Sequence, residues 1–408
     1  MATRPSLRFA VISFCLGMII LHSALFWIAR RQVQVGAPDY SIFYTAGLIL
    51  KRHQGPELYS EELQRKTQQE FCHEAFISRG FLPYNHPPFE AALYRPFARF
   101  SYLQAYSIWF ALNLLFATGA LYLMTPCLPN LSAVFQRLLF LAPLAFFPTA
   151  YAFMQGQDSI LLMCLYCLAF VALRSRRDLC GGICLGLGLF KFQLVLPFAV
   201  VLGLSRRWRA LAGVFFTAFF DLVLSFKVVG WKELVYYPRY AWQVDRERSL
   251  GVIVPQNMPN LRGLLTGWTG RALPPAWLEV TLLGVSVGVL IWASRHWRLD
   301  NSPGTPAWNI GFSIALVATF LVGYHSYNQD MSILLLPVLI TFDRTLGLPR
   351  GGTGIKLVLG LLFFSPLYLV LTLMYSHQNL FALVLLSFAA ALAASSSTSA
   401  IPSLASRC

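Results

Sequence analysis

Residues 9–29 run without a lysine, an arginine or an acid and are closed by Arg30-Arg31. At 1.5 Å per residue such a helix spans the roughly 30 Å of a bilayer's hydrocarbon. Apolar runs of this kind recur down the whole chain, separated by short basic clusters. No aqueous core can shelter so many, so the pattern restricts the chain to an all-α polytopic membrane protein. The balance agrees: 57% of the 408 residues are hydrophobic and 12% charged, about half the charge of an ordinary soluble domain. The first run exceeds the apolar core of a signal peptide and lacks a small-residue cleavage site, so it is expected to stay as the first span.

The formal net charge is +15. In a soluble protein that balance suggests nucleic acid. Here the basic residues sit in short loops between apolar runs, which points to membrane topology and anionic headgroups as partners, and no nucleic-acid motif is present. Most of the eight cysteines lie inside apolar runs and act as small hydrophobes. Cys164 and Cys167 have metal-pair spacing but no second pair, so no zinc site is expected.

The positive-inside rule gives a topology. With Arg4 and Arg8 inside, Asp39 falls outside, at the start of a first outer loop over residues 30–102. Residues 61–79 read as a polar helix within it. Spans follow at about 103–123 and 137–151, and the next ends at Arg174-Ser175-Arg176-Arg177. Residues 179–204 are apolar, yet Lys191-Phe192-Gln193 sits mid-run and both ends are basic. One span would put the second basic cluster outside; two short helices meeting at Lys191 keep both clusters inside. The hairpin also places the later short basic loops inside, so it is favoured. A second outer loop covers 230–275, and spans follow near 277–293, 310–322, 331–340, 354–374 and 380–394. The expectation is one membrane domain over 1–394 with roughly 11–13 transmembrane helices, outer-face loops and short amphipathic helices. A Ser-rich tail, 395–408, is expected to be disordered.

Under this topology the polar residues that interrupt the apolar runs share one face: Asp39, Asn85-His86, Gln155 to Asp158, Lys191 with Gln193, Asn257 with Asn260, and His325 to Asp330. An acid beside a span is costly without a role. Asp39 precedes Tyr40, Phe43 and Tyr44, rings expected at the headgroup level; the plainer alternative is an N-cap for a helix over 41–50. Lys191 could instead snorkel at a span end, and Asp330 could cap the span after it.

The order of these residues resembles a known family. Asp-Tyr-x-x-Phe-Tyr-x-Ala-Gly (Asp39 to Gly47), Leu58-Tyr59, Tyr-x-x-Pro-Pro-Phe (Tyr84 to Phe89), Gly156-Gln157, Lys-x-Gln (Lys191, Gln193) and His-Ser-Tyr-Asn-x-Asp (His325 to Asp330) are similar to glycosyltransferase family 87, of the GT-C class. The likeness covers about residues 37–336. Two departures stand out: Phe192 follows the Lys where the family has Pro, and Asn85-His86 replaces an aromatic-Pro pair. The resemblance implies a GT-C-type bundle in the plasma membrane with its active site facing outward. It implies transfer of a hexose, mannose first, from a polyprenyl-phosphate donor to a lipid or glycan acceptor. Asp39 would be the general base. Lys191, Gln193, His325, Gln157, Tyr327 and Asn328 would serve donor phosphate and sugar, and Tyr44, Tyr59, His86, Asn260 and Asp330 the acceptor or the pocket. No Asp-x-Asp motif is present, so neither a metal nor another cofactor is expected. The competing class is a transporter or lipid flippase, which should show paired broken helices in two halves.

Overall fold

The computed structural model describes residues 5–72, 74–75, 80–246, 253–269, 274–297, 302–347, 353–373 and 377–398. Among them every regular element is helical. Five helices are long and apolar enough to cross a membrane: Pro5–Gln34, Tyr102–Cys127, Trp208–Arg246, Pro275–His296 and Gln378–Ser395. The chain is a multi-pass membrane protein.

Other apolar runs are broken. The expected span at 137–151 is a succession of short turns ending in helix Phe147–Gln155, bent by 59° from the piece before it. Pro143 and Pro148 interrupt its backbone ladder. The run at 354–374 breaks at Phe364 with a 62° bend. The run at 331–340 starts as a 3-10 turn, Asn328–Leu334, and continues as helix Leu335–Gly347. Helix Phe381–Thr398 takes in the first residues of the Ser-rich tail; the rest of that tail, and residues 76–79 and 247–252 of the loops expected on the outer face, lie outside the described residues.

Residues 179–204 form a hairpin. Helix Asp178–Gly186 runs against helix Ser159–Arg174 in the opposite sense, with Gly181 on Leu173 and Gly188 on Leu162. A 3-10 turn, Leu189–Lys191, reverses the chain, and helix Phe192–Leu204 returns beside Tyr166, whose hydroxyl donates to Leu194 O at 2.7 Å. The break forms without the family's proline, because Gly188 and the 3-10 turn already end the first helix. Lys191 therefore sits at the tip, level with Asp158.

Two cores organise the molecule. The larger packs Phe170, Phe198, Trp297, Trp308 and Phe312 among the membrane helices. The smaller is aromatic and joins Tyr40, Phe43, Tyr44, Tyr84, Tyr94, Tyr102 and Trp109. This corrects one expectation: Tyr40 and Phe43 are 0% exposed and Tyr44 5%, so these rings do not lie among headgroups. Helix Tyr40–Lys51 is covered by helices Pro88–Tyr94 and Tyr102–Met124, and the rings stack on one another, Phe43 on Tyr94 at 4.7 Å. The aromatic core is a rigid seat for Asp39.

Helix Trp208–Arg246 is kinked at Gly230, whose backbone has φ +80°. A β-carbon there would meet nothing within 4 Å, so glycine is required by the backbone rather than by space. The kink turns the stretch 231–246 over the end of the bundle that carries Asp39.

Candidate active site

Asp39 occupies the position before helix Tyr40–Lys51, yet its carboxylate makes no capping bond to that helix. Its Oδ2 accepts from Gln157 Nε2 at 2.8 Å, and its own N–H donates to Gln155 Oε1 at 3.2 Å. Gln157 is placed by Gly156, which ends helix Phe147–Gln155 in the left-handed conformation, φ +63°. A β-carbon at Gly156 would come within 2.8 Å of Tyr40 Cβ, so only glycine lets this turn approach the aromatic seat.

Gln157 carries the link onward: its Oε1 accepts from Lys191 Nζ at 3.2 Å. The same ammonium lies 2.6 Å from Asp330 Oδ1 and 2.9 Å from Asp158 Oδ1. Lys191 is 3% exposed. It does not snorkel; it is a buried cation held between two carboxylates and coupled through one amide to a third. Asp330 also accepts from Ser159 Oγ at 2.9 Å and, as the local cap, from Tyr327 N at 2.9 Å.

Behind Asp158 lies Glu90, on helix Pro88–Tyr94 and 2% exposed. Burial, then the adjacent Asp158 charge, raises the Glu90 carboxyl well above its usual range. Burial alone would raise Asp158 too, but the Lys191 ammonium and the Glu90 hydrogen bond outweigh it and hold it low. The pair thus keeps one proton, on Glu90. His86 Nδ1 is 2.8 Å from Glu90 Oε2, and burial pushes His86 down to about 4, so its ring is neutral near pH 7. His86, Glu90 and Asp158 offer ligand atoms within 4.8 Å of one another, although the Lys191 ammonium already faces this group.

In front of Glu90 and Asp158 lies a cavity of about 620 Å³ that they do not themselves line. Asp39, His86, Gln157, Lys191, Gln193, His325, Tyr327 and Asp330 all reach it, alongside Ile42, Phe190, Phe192 and Ile253. Its far wall is a second charged group. Arg262 grips Asp245 with both terminal nitrogens, at 2.9 and 2.7 Å, and stacks on Tyr324 at 3.8 Å. His325 Nδ1 lies 3.7 Å from Asp245 Oδ1. His325 is more open to the cavity than Lys191, with side-chain exposures of 28% and 4%.

Four of the residues singled out in the sequence are placed elsewhere. Tyr44 points into the aromatic core and donates to Phe100 O at 2.8 Å. Tyr59 donates to His86 O at 2.8 Å from behind the cavity wall. Asn260 is 0% exposed and ties Gly323 O to its own helix start through Gly263 N. Asn328 is buried in the turn after Tyr327. Conversely Glu90, Asp245 and Arg262 belong to the site and were not among the candidates, and Asp158 was named only as part of the shared polar face. His86 and Glu90 do stand one helical turn apart, the one local signal that could have exposed the acid.

A bundle of membrane helices thus holds, at one end, a cavity with a carboxylate, a buried ammonium and an imidazole, walled in part by apolar side chains. That combination suits a membrane enzyme acting on a substrate with both polar and hydrocarbon parts. The model of glycosyltransferase family 87 matches residues 84–323, more than half of the chain, and the protein belongs to that family. It is a membrane glycosyltransferase. The matched stretch contains His86, Glu90, Gln157, Asp158, Lys191, Asp245 and Arg262, while Asp39, His325 and Asp330 lie outside it. No curated protein matches the chain.

Proposed function

We propose that the protein is a GT-C-type hexosyltransferase of the plasma membrane. It moves a sugar, mannose first, from a polyprenyl-phosphate donor to a hydroxyl of a lipid or glycan acceptor on the outer face. The observation that carries the reading is the chain of contacts from Asp39 through Gln157 to Lys191 within one cavity. It preorganises a carboxylate at one side of a space large enough for a sugar phosphate.

In the reaction, the acceptor hydroxyl gives its proton to Asp39 as its oxygen attacks the anomeric carbon. The bond from that carbon to the phosphate oxygen breaks on the opposite face, and the configuration inverts. The departing polyprenyl phosphate gains charge, which must be met by groups already in place. His325 and Gln193 are the accessible donors, with Tyr327 beside them. Lys191 is largely neutralised by Asp158 and Asp330, so its contribution is to orient Gln157 and the Asp39 carboxylate as well as to bias the field toward the phosphate. Phe190, Phe192 and Ile253 offer an apolar path for the prenyl chain. No step requires a metal.

The family match favours transfer over the transporter or flippase alternative. The test is to supply membranes with radiolabelled polyprenyl-phosphate mannose, and with glucose and arabinose donors as controls. Label should pass from the mannose donor to a lipid or glycan. Absence of transfer from all three donors would remove the reading, and transfer from a control alone would change the sugar.

A further inference from the structure

A second cleft, of about 750 Å³, adjoins the cavity. Pro83 and Trp242 line both spaces. The stretch after the Gly230 kink is the ridge between them. Tyr237, Ala241 and Asp245, four residues apart, face the cavity, whereas Tyr236, Tyr240 and Gln243 face the cleft. Tyr59 forms part of the cleft and stacks on Tyr237 at 5.2 Å, while its hydroxyl holds the carbonyl of the cavity residue His86. The cleft is therefore built as one piece with the site.

Its lining sets rings beside acids and one amide, Gln243. Tyr236 is 37% exposed and Trp242 46%; the Arg246 guanidinium stacks on Trp242 at 4.2 Å and covers one of its faces, and both rings stand beside Gln243, Glu57 and Glu233. A pyranose has an apolar C–H face and a rim of hydroxyls; rings take the first, and carboxylates and amides accept from the second. The charge also discriminates. Glu61 is paired with Arg65 and Arg246 with Glu279, which leaves Glu57 and Glu233 against Lys232 in the lining. Anionic lipid headgroups are disfavoured there, although headgroups are the usual neighbours of exposed Tyr and Trp.

We propose that this cleft is an acceptor subsite, which binds the neutral sugars beyond the one that receives the new residue. The proposal rests on the transferase reading and names the acceptor as an oligosaccharide or an oligosaccharide-bearing lipid.

Binding tests the cleft independently of turnover. The full-length protein in nanodiscs is titrated with soluble tetrasaccharides of mannose, glucose and arabinose, read by saturation-transfer NMR. At least one should bind; Tyr236→Ala and Glu57→Gln should weaken it by about tenfold, and Asp39→Asn should retain it. In a second arm, alkyl monosaccharide and alkyl tetrasaccharide acceptors are compared. Tyr236→Ala should raise KM for the long acceptor and leave kcat and the short acceptor unchanged. The proposal is overturned if no tetrasaccharide binds, if both variants bind as the parent does, or if they instead lose adhesion to phosphatidylglycerol vesicles. Binding that the variants weaken, without transfer to any acceptor, would uphold the cleft and defeat the transferase reading.

Discussion

Replacing Lys191 by methionine removes the ammonium that two buried carboxylates share. Asp330 and Asp158 lie 2.6 and 2.9 Å from it, with side chains 3% and 0% exposed. Breaking one buried ion pair from one side costs about 3–5 kcal/mol, because the remaining charge stays desolvated. Two carboxylates are stranded here, but one can take up a proton, so the loss should stay within that range and not double. Unfolding in mixed detergent micelles, followed by tryptophan fluorescence, measures it. The double variant Lys191→Met with Asp330→Asn deletes one of the stranded charges. It should recover at least about 2 kcal/mol of the loss, a coupling of the size that contacting charged groups show. A Lys191→Met protein within about 0.5 kcal/mol of the parent would match an exposed pair and would refute the buried hub.

Further expectations follow from neighbouring groups. Glu90 binds its proton more tightly when folded, so its stabilisation is complete below the ordinary glutamate range and is lost as pH rises through the raised folded value. Glu90→Gln cannot titrate; relative to it the parent should lose up to about 1.4 kcal/mol per pH unit across that window, and parallel unfolding profiles from pH 5 to 9 would contradict this. Gly156→Ala should destabilise the fold by at least about 1–2 kcal/mol, and more from its contact with Tyr40, and should lower transfer by displacing Gln157; unchanged unfolding and activity would show that the turn tolerates a side chain. His325→Gln should reduce kcat by about 10²–10³ if its imidazole meets the leaving phosphate, and a loss in KM alone would assign it to ground-state binding.

The apolar runs and their basic borders made the membrane bundle legible in the sequence, because hydrocarbon tolerates few alternatives. Lys191 was legible as a hairpin tip for the same reason: a lysine in the middle of an apolar run needs a break and an anion. Asp158 and Asp330 were legible as members of the same polar face, but their pairing with Lys191 was not, since they lie 33 and 139 positions away along the chain and nothing local selects them. Glu90 was hidden inside a short apolar helix, and the Arg262 pair with Asp245 joins two segments that the sequence does not order. Tyr40, Phe43 and Tyr44 were misplaced because an aromatic cluster beside a span has the same pattern whether it meets headgroups or protein. Tyr44 and Asn328 share motifs with cavity residues but do not line the cavity, a distinction set by side-chain direction and not by spacing.

The most direct test of the central claim is the initial rate of sugar transfer by purified Asp39→Asn protein at saturating labelled donor, with donor binding measured alongside. Asparagine keeps the shape of the side chain and can still meet Gln157, but it cannot accept the acceptor's proton. Transfer should fall by about 10²–10⁴ while donor affinity holds. A variant that transfers at the parent rate would contradict the role of Asp39 as the base.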